Sequence, residues 1–435
     1  MIFVRETSIL LRSFAKIESR VKVSFLTLGC KLNYAETSTY ERGLVNAGHE
    51  AVPWRQKADL YLINTCSVTA TSDAKSRNLI RKMHRINPEA RIVVTGCSAQ
   101  LRKAEIERIE GVTRVFGCTE KSAVIPYCLS LNSTAQTCAG TAAENIFPAY
   151  SSGERTRSFL KVQDGCNNYC KYCTVPYARG ESRNIPIAQC VQQAREIAAL
   201  GVREIVLTGV NTGDFGRSTG ESFLDLLKAL NSVEGIERYR ISSIEPNLLT
   251  EEIVDWIASG TKFQPHFHIP LQVGTDELLA RMGRHYDTAL FRQRIEYIRR
   301  KMEGPGKCEV FFGIDVMAGL PGETEELFVR SLEFIRSLRP AFIHVFPYSQ
   351  RPGTPAAEFP GQVSEEEKKD RVARLEALCL ELHNEFVTRH IGRRELVLFE
   401  SKEKGGMMSG YTGNYIKVTR EYDPAMVGKT IEVTL

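Results

Sequence analysis

The stretch DGCNNYCKYCTVPYARG, residues 164–180, contains Cys166, Cys170 and Cys173 in the spacing CxxxCxxC, directly after the strand-like segment RSFLKVQDG (157–165). A closed structural zinc site uses four ligands, often as two CxxC pairs, and no second pair lies near this one. Thiolates hold iron–sulfur clusters, and three of them leave one iron of a 4Fe–4S cluster open to a further ligand. The stretch therefore predicts a 4Fe–4S cluster on a loop at the end of a strand.

Five further strand-like segments follow this one, with helical patterns between them. They are EIVLTGVN (204–211), RYRISSIEP (238–246), PHFHIPLQ (265–272), EVFFGIDVMAG (309–319) and AFIHVFPYS (341–349). Six strand–helix units within residues 157–383 predict a partial, TIM-like (β/α)6 barrel. In such a barrel the active site lies at the carboxyl ends of the strands.

Residues 21–126 show the same alternation, which predicts a three-layer α/β domain with a parallel sheet. Each of its three predicted strands runs into a cysteine, namely Cys30 in TLGC, Cys66 in NTCS and Cys97 in TGCS. The carboxyl ends of parallel strands meet at one edge of a sheet, so we expect these three sulfurs to converge. A second metal site is the favoured interpretation, and three buried structural thiols are the alternative.

Three other segments complete the domain organisation. Residues 1–20 contain only short apolar pieces, which predicts a disordered N-terminal extension or a start codon assigned too early, and not a secretory signal. Residues 127–156 lack periodicity and are typical of a linker. Residues 387–435 combine short β-branched runs with glycine turns, which predicts a small antiparallel β domain.

The composition favours a cytoplasmic protein with enough apolar residues to form buried hydrophobic cores. The hydrophobic fraction is 43%, and no apolar run has the roughly 20 residues of a membrane span. Twelve cysteines in a reducing compartment indicate metal ligation before disulfides. The net charge of +5 says little, but Arg77, Arg81 and Arg85 share one helix face. That face is a candidate RNA contact, with a solvated face as the equally weighted alternative.

The CxxxCxxC motif, with Tyr172 before its last cysteine, resembles the radical S-adenosylmethionine (SAM) motif. With the three upstream cysteines and the downstream β domain, the chain resembles the radical SAM methylthiotransferases over residues 21–435. The resemblance implies an auxiliary 4Fe–4S cluster on the first cysteine triad (Cys30, Cys66 and Cys97), a SAM-binding 4Fe–4S cluster on the second (Cys166, Cys170 and Cys173), and a C-terminal TRAM domain that binds RNA.

The segment TLGCKLN (27–33) and the sequence VPYARG (175–180) are most similar to one branch of that family. That branch modifies N6-threonylcarbamoyladenosine (t6A) at tRNA position 37, next to the anticodon. The other two branches, acting on isopentenyladenosine in tRNA or on a ribosomal-protein aspartate, remain alternatives. A non-catalytic iron–sulfur protein that binds RNA or senses redox state is the alternative from another class.

The resemblance also implies a mechanism and a set of partners. SAM would be cleaved to a 5′-deoxyadenosyl radical that takes the hydrogen from adenine carbon 2. The auxiliary cluster would carry the sulfur, and a second SAM would methylate it. The implied partners are the tRNA anticodon arm bearing t6A, an electron donor such as flavodoxin or ferredoxin, and a sulfur source, with no membrane partner.

Several further residues at predicted strand ends are candidate SAM contacts. They are Tyr172, Gly209, Asn211, Glu245, Gln272, Arg284, Met317 and the backbone near Gly319. Ser349 and Arg351 are candidate substrate contacts. We expect His266 and His268 to be packed rather than ligands. The remaining cysteines lack ligand spacing and are predicted to be bystanders, namely Cys118, Cys128, Cys138, Cys190, Cys308 and Cys379.

Overall fold

The computed structural model describes residues 20–131, 146–153 and 156–435. Residues 1–19 of the expected N-terminal extension, much of the expected linker, and Cys138 lie outside the described residues. Within the described ranges, no helix combines the length and the apolar character that crossing a bilayer requires.

The first unit is a five-stranded sheet in which every pairing is parallel. The sheet order is β2-β1-β3-β4-β5. Its strands are β1 (Lys22–Thr27), β2 (Glu50–Ala51), β3 (Leu60–Thr65), β4 (Arg91–Gly96) and β5 (Val112–Phe116). Its helices are α1 (Lys31–Asn46), α2 (Ala70–Ile86), α3 (Cys97–Leu101), α4 (Lys103–Glu107) and α5 (Val124–Ser130). The central strand β3 is buried along its whole length, as expected for a parallel sheet covered on both faces.

Helix α5 continues past residue 126, where the sequence predicts the linker to begin. Its Val124 and Cys128 are buried against Tyr40 and Leu44 of α1. The first unit therefore extends to the end of this helix.

The second unit is built from six parallel strands in two groups, ordered β10-β9-β6 and β11-β12-β13. Its strands are β6 (Arg157–Lys161), β9 (Glu204–Thr208), β10 (Arg238–Ile241), β11 (His266–Gln272), β12 (Phe311–Ala318) and β13 (Phe342–Pro347), with a short β7 (Gln163–Asp164) and β8 (Arg183–Asn184) hairpin. Its helices are α6 (Val175–Arg179), α7 (Ile187–Ala199), α8 (Phe223–Asn231), α9 (Glu251–Ala258), α10 (Asp276–Arg281), α11 (Thr288–Met302), α12 (Glu325–Leu338) and α13 (Glu365–Thr388). The bridge between Tyr239 and Phe263 joins the two groups. The predicted partial (β/α)6 barrel is confirmed.

Helix α13 has a charged outer face and an apolar inner face. Ser364 and Glu367 form a capping box at its N-terminus, which satisfies otherwise unpaired backbone amides. Its Leu375, Leu378 and Leu382 are buried in the barrel core. The charged residues thus occupy the outer face of a helix that covers the last strands.

The C-terminal unit is an antiparallel sheet in the order β16-β15-β14-β17, which confirms the predicted β domain. Its strands are β14 (Arg394–Lys404), β15 (Met407–Tyr411), β16 (Lys417–Glu421) and β17 (Thr430–Thr434). Two barrel arginines hold it. Arg238 donates to the carbonyls of Leu396 and Tyr411, and Arg240 donates to those of Thr412 and Gly413 at 2.8 and 2.7 Å.

Candidate functional site

The loops that carry the first three cysteines begin at strand ends where the chain turns sharply. Gly29 and Gly96 precede Cys30 and Cys97 and have φ angles of +103° and +102°, which favour glycine. A Cβ on Gly96 would also lie 2.4 Å from the carbonyl oxygen of Thr65. Cys30 thereby caps helix α1, and Cys97 begins α3. The sequences LGC and TGC thus turn each cysteine toward the same sheet edge.

Two polar residues that sequence reasoning missed tie these ends together. Asn33 donates through its amide nitrogen to the carbonyls of Leu28 at 2.8 Å and Thr65 at 3.0 Å. The Thr65 hydroxyl donates to the Thr95 carbonyl at 2.7 Å and accepts from the Ala99 amide. The carboxyl ends of β1, β3 and β4 are therefore cross-linked by hydrogen bonds. In the sequence, only the Asn of GCKLN and the Thr directly before Cys66 could have indicated these contacts.

The structure brings the first triad to this edge with unequal exposure. Cys30 is exposed, whereas Cys66 and Cys97 are buried. Burial raises the pKa of the Cys66 thiol, and a hydrogen bond with Cys118 together with burial raises that of Cys97. Because metal binding needs thiolates, loading this site would release protons.

Cys118, predicted to be a bystander, follows β5 and packs against Cys97. Its hydrogen bond with Cys97 lowers the pKa of the Cys118 thiol to about 6, and Lys121 and Arg179 act in the same direction. Four adjacent strands of the sheet, β1, β3, β4 and β5, thus end near a cysteine, and the sulfur of Cys118 adjoins the predicted triad.

The second triad lies on the loop between β7 and α6. Gly165 precedes it with φ +76°, and a Cβ there would lie 2.0 Å from the carbonyl oxygen of Glu181, so the hairpin closes only over glycine. Cys170 is buried, and Cys166 and Cys173 are half-buried. Burial raises the pKa of Cys166 to about 11 and that of Cys173 to about 12.

All three of these cysteines line one cavity of about 340 Å³, which we name the cluster cavity. Its wall is formed by the strand ends of the barrel and by the loop after β3 of the first unit. Among the predicted SAM contacts, the lining residues are Tyr172, Asn211, Glu245, Gln272, Arg284 and Met317. A barrel site at the strand carboxyl ends is what the fold favours.

Arg284 forms three side-chain hydrogen bonds in this cavity. Its guanidinium donates to the Cys170 sulfur at 3.2 Å, to the Tyr172 hydroxyl at 3.4 Å and to Glu245 Oε1 at 2.6 Å. Glu245 also accepts from Asn168 at 2.8 Å, a loop residue that sequence reasoning did not single out. A buried ion pair beside three thiols gives the cavity both a cation and a carboxylate for a zwitterionic ligand.

The remaining SAM candidates separate into two groups. Gln272 reaches the cavity through a β-bulge at φ +70°, a conformation that a non-glycine residue adopts only where surrounding contacts hold it. Gly209 and Gly319 are not among the lining residues. A Cβ on Gly209 would lie 2.8 Å from Gln163 Oε1, which itself accepts the amides of Val210 and Asn211. Gly209 therefore shapes the turn rather than the cavity surface.

The donor sets fit two iron–sulfur clusters. The second triad lines the cluster cavity with all three of its cysteines, and the first triad reaches the junction cavity through Cys30. No cysteine besides these three and no histidine lines the cluster cavity among the described residues, and the Arg284–Glu245 pair suits the carboxylate and ammonium of an amino acid. Cys166, Cys170 and Cys173 would hold one cluster, and Cys30, Cys66 and Cys97 the other.

A second, larger cavity of about 630 Å³ opens where all three units meet, and we name it the junction cavity. Cys30 and Lys31 line it from the first unit, Arg157 and Arg240 from the barrel, and Lys417 from the C-terminal sheet. His266 also lies there, stacked on Phe311 at 5.1 Å, in agreement with its predicted packing role.

His268, by contrast, is half-buried and polar in its contacts. Its Nε2 lies 2.7 Å from Oδ1 of Asp315, which lines the cluster cavity. One side-chain pair therefore connects the walls of the two cavities.

The two predicted substrate contacts lie at the boundary between the first unit and the barrel. Ser349 lines the cluster cavity and accepts from the Ala70 amide at 3.2 Å. Arg351 is buried, 3% exposed, and donates to Asp73 and to the Ser67 hydroxyl. The prediction that Arg351 faces substrate is wrong, because its guanidinium is enclosed at a domain contact.

Arg351→Ala is expected to destabilise the protein by about 3 kcal/mol, because Asp73 would remain buried without its closest cation. Arg330→Ala, which breaks an exposed pair with Glu277, is the matched control and should leave the urea midpoint unchanged. Urea unfolding and tRNA affinity under folding conditions are the measurements. A large loss of tRNA affinity in folded Arg351→Ala would contradict the domain-contact role.

The basic helix α2 carries Arg81 and Arg85 on its exposed side, while Arg77 is half-buried and lies 3.9 Å from Glu105. Lys82 rests over the Trp54 ring at 4.3 Å. The exposed positions remain available to an anionic partner, and their role in RNA binding stays a prediction.

The described bystander cysteines lie outside both cavities. Cys128 is buried in the first unit, Cys190 and Cys379 belong to the barrel core, and Cys308 is half-buried before β12. None of these four is a lining residue of either cavity.

A fully buried ionic cluster connects the two cysteine-bearing units. We name it the interdomain charge cluster; its members are Glu36, Lys121, Lys161, Asp164 and Arg179. Glu36 lies 2.7 Å from Lys121 and 2.9 Å from Lys161. Asp164 lies 2.6 Å from Lys161 and 2.8 Å from Arg179. Arg179 also donates to Asn33, so this cluster joins helix α1 after Cys30 to the loop around the second triad.

Comparisons with known proteins agree with this architecture. The model of the radical SAM superfamily matches residues 160–335, and that of the uncharacterized protein family UPF0004 matches residues 22–117. A solved structure of the radical S-adenosylmethionine methyltransferase TsrM from Kitasatospora setae is similar with a TM-score of 0.55 and 15% identity, covering 78% of this chain and 77% of that one. At this identity the likeness concerns the fold.

Curated relatives are similar over nearly the whole chain. Threonylcarbamoyladenosine tRNA methylthiotransferase MtaB of Bacillus subtilis is 38% identical over 95% of this chain and 93% of its own length. The MtaB of Thermotoga maritima is 35% identical over 90% and 89%. The tRNA-2-methylthio-N(6)-dimethylallyladenosine synthase of Syntrophomonas wolfei is 33% identical over 89% and 88%.

Proposed function

Since this chain belongs to the radical SAM methylthiotransferase family, we propose that it converts t6A in tRNA to 2-methylthio-t6A. The observation that carries the proposal is the presence of two separate cysteine triads, one that lines the cluster cavity and one that reaches the junction cavity through Cys30. Replacing the C–H bond at adenine carbon 2 requires both a radical source and a sulfur donor. Two clusters with one open iron each would serve these two needs. The MtaB relatives favour t6A over isopentenyladenosine.

The cluster cavity supplies the groups for the first half of the reaction. Cys166, Cys170 and Cys173 would hold the 4Fe–4S cluster, which together with SAM would supply the radical chemistry needed to remove the hydrogen from carbon 2. Arg284 and Glu245 are placed to orient the carboxylate and the ammonium of the methionine portion. Pro347 and Tyr348 help to enclose the cavity, and this limits the access of water to a reactive species.

The first triad would hold the cluster that presents sulfur, with Cys30 the ligand exposed on the junction cavity. We propose that the substrate base enters through that cavity, because His268 on its wall contacts Asp315 on the wall of the cluster cavity. The reaction also needs one-electron supply, for which we propose flavodoxin or ferredoxin, and a sulfur source. We propose the cytoplasm as its location, because tRNA and small redox proteins are found there.

The direct test is to delete the gene, digest total tRNA to nucleosides and measure 2-methylthio-t6A by mass spectrometry. We expect this nucleoside to disappear and t6A to rise, while isopentenyl-type methylthiolation stays constant. Reintroduction of the wild-type gene should restore it. Persistence of 2-methylthio-t6A in a strain without another such enzyme would overturn the proposal. Loss of the isopentenyl-type product instead would identify the second candidate substrate.

A further inference from the structure

The junction cavity is lined by cationic side chains without an acidic one among its described lining residues. Four cationic side chains line it, and no aspartate or glutamate does among the described residues. The four are Lys31, Arg157, Arg240 and Lys417. A cation in this set that has no anionic partner in the protein can bind an anionic ligand.

The two arginines already have partners. Arg240 pairs with Glu204 at 2.9 Å, and Arg157 pairs with Glu400 at 2.7 Å while donating to the Tyr415 hydroxyl. Their guanidinium groups thus hold the C-terminal sheet against the barrel. Lys31 and Lys417 differ, since neither forms a hydrogen bond or an ion pair within the described part of the chain.

Lys31 occupies the more informative of these two positions. It is the residue after Cys30, and its charged neighbours are Arg157, Asp315 and Arg240. Asp315 lies in the wall of the cluster cavity and is already hydrogen-bonded to His268. The Lys31 ammonium is therefore a cation without a protein partner among the described residues, next in sequence to Cys30 of the first triad.

The substrate of the proposed function carries an anion that ordinary adenosine lacks. The threonylcarbamoyl group on N6 ends in the carboxylate of threonine, whereas an isopentenyl group is uncharged. If the base enters through the junction cavity, as proposed above, its N6 substituent needs space in the same cavity. A volume of about 630 Å³ lies within the range of ligand sites.

We propose that Lys31 binds the threonyl carboxylate of t6A in the junction cavity, and so selects the modified base. This inference rests on the proposed function and names the group that recognises its substrate. A lysine that contacts an RNA phosphate shares the same anion chemistry, but it would not distinguish t6A from adenosine. Binding to the threonyl carboxylate and binding to a phosphate can therefore be distinguished with two tRNAs that differ only in the threonylcarbamoyl group.

The test uses the cluster-loaded protein, prepared anaerobically, and one tRNA transcript with t6A or with unmodified adenosine at the target position. For Lys31→Gln we expect the dissociation constant for t6A-tRNA to rise about tenfold to a hundredfold, from the strength of charged hydrogen bonds. The constant for unmodified tRNA should change less than about twofold. Lys31→Arg should retain most of the preference, and Lys22→Gln, an exposed lysine on β1, is the control.

The outcomes are distinct. Equal weakening of both tRNAs would assign Lys31 to a phosphate and overturn the inference, as would no change for either. A lower cluster content in Lys31→Gln would weaken the binding of both tRNAs alike, so it would not be mistaken for a selective loss of t6A-tRNA binding. Iron analysis measures the cluster content of each variant. If the wild-type protein forms 2-methylthio-t6A while Lys31→Gln keeps the preference, only this inference fails. If the wild-type protein neither prefers t6A-tRNA nor modifies it, the proposed function fails.

Discussion

Glu36→Gln is expected to lower the free energy of unfolding by about 3 to 5 kcal/mol, the cost of breaking a buried ion pair from one side. Glu36 is fully buried and faces Lys121, Lys161 and Arg179 in the interdomain charge cluster. With glutamine there, three buried cations would share the single carboxylate of Asp164. Urea unfolding of the cluster-loaded protein under anaerobic conditions measures the difference.

The same cluster predicts acid lability. Burial alone would raise the pKa of Glu36, but Lys121, Lys161 and Arg179 outweigh it and hold the pKa well below its usual range; Asp164 behaves likewise. In the unfolded chain these carboxyls titrate near pH 4, so the unfolded state binds more protons than the folded one. This stabilisation is present above about pH 5 and is lost as the pH falls below 4. Glu36→Gln should flatten that pH dependence.

Glu277→Gln is the matched control, because it makes the same substitution in an ion pair that is exposed on both sides. It should leave the urea midpoint and its pH dependence unchanged. A Glu36→Gln protein as stable as the wild type would show that water or rearrangement relieves the unpaired lysines. In that case the charge cluster would not be what fixes the first unit against the barrel.

Cys66→Ala and Cys170→Ala should each abolish 2-methylthio-t6A formation and remove about half of the bound iron. Each substitution leaves one cluster with two protein thiolates instead of three. The two variants should differ in one assay: Cys66→Ala still cleaves SAM to 5′-deoxyadenosine on reduction, whereas Cys170→Ala does not. Cys66 is preferred to Cys97 because the Cys118 sulfur adjoins Cys97.

Cys190→Ala is the control, since Cys190 is a buried cysteine of the barrel core outside both cavities. It should keep full iron content and product formation. Full iron in Cys66→Ala would exclude Cys66 as a ligand. Loss of SAM cleavage in both variants would mean that the two clusters do not load independently.

Local patterns were enough to predict most of the architecture and both cysteine triads. Parallel strands expose their carboxyl ends on one edge, so TLGC, NTCS and TGCS had to place Cys30, Cys66 and Cys97 together once the strand period was recognised. The loop motif placed Cys166, Cys170 and Cys173 without long-range information, because a short loop confines its own residues. The sequence patterns of the helices, strands and turns were informative for the same reason, because each pattern depends on residues close together in the chain.

Tertiary structure decided which of the remaining polar residues face a cavity. Nothing in its local sequence distinguishes Arg351, enclosed by Asp73 and Ser67, from Arg284, which faces Cys170. Arg351 lies in the loop after β13 and Arg284 in the loop between α10 and α11, and their environments depend on partners far away in sequence. The sequence predicts that Gly209 contacts SAM, because it lies in a turn at a strand end. In the structure, the side chain of Gln163 lies against Gly209 instead.

The charge relations between units belong wholly to the tertiary structure. Glu36 meets Lys121 and Lys161 across 85 and 125 residues of chain, and Lys31 faces arginines of the barrel. The sequence by itself determined the repeating units, their strand-end cysteines and hence the cofactors expected there. Only packing decided how the units face one another, because electrostatic and steric complementarity act through space and leave no periodic signal along the chain.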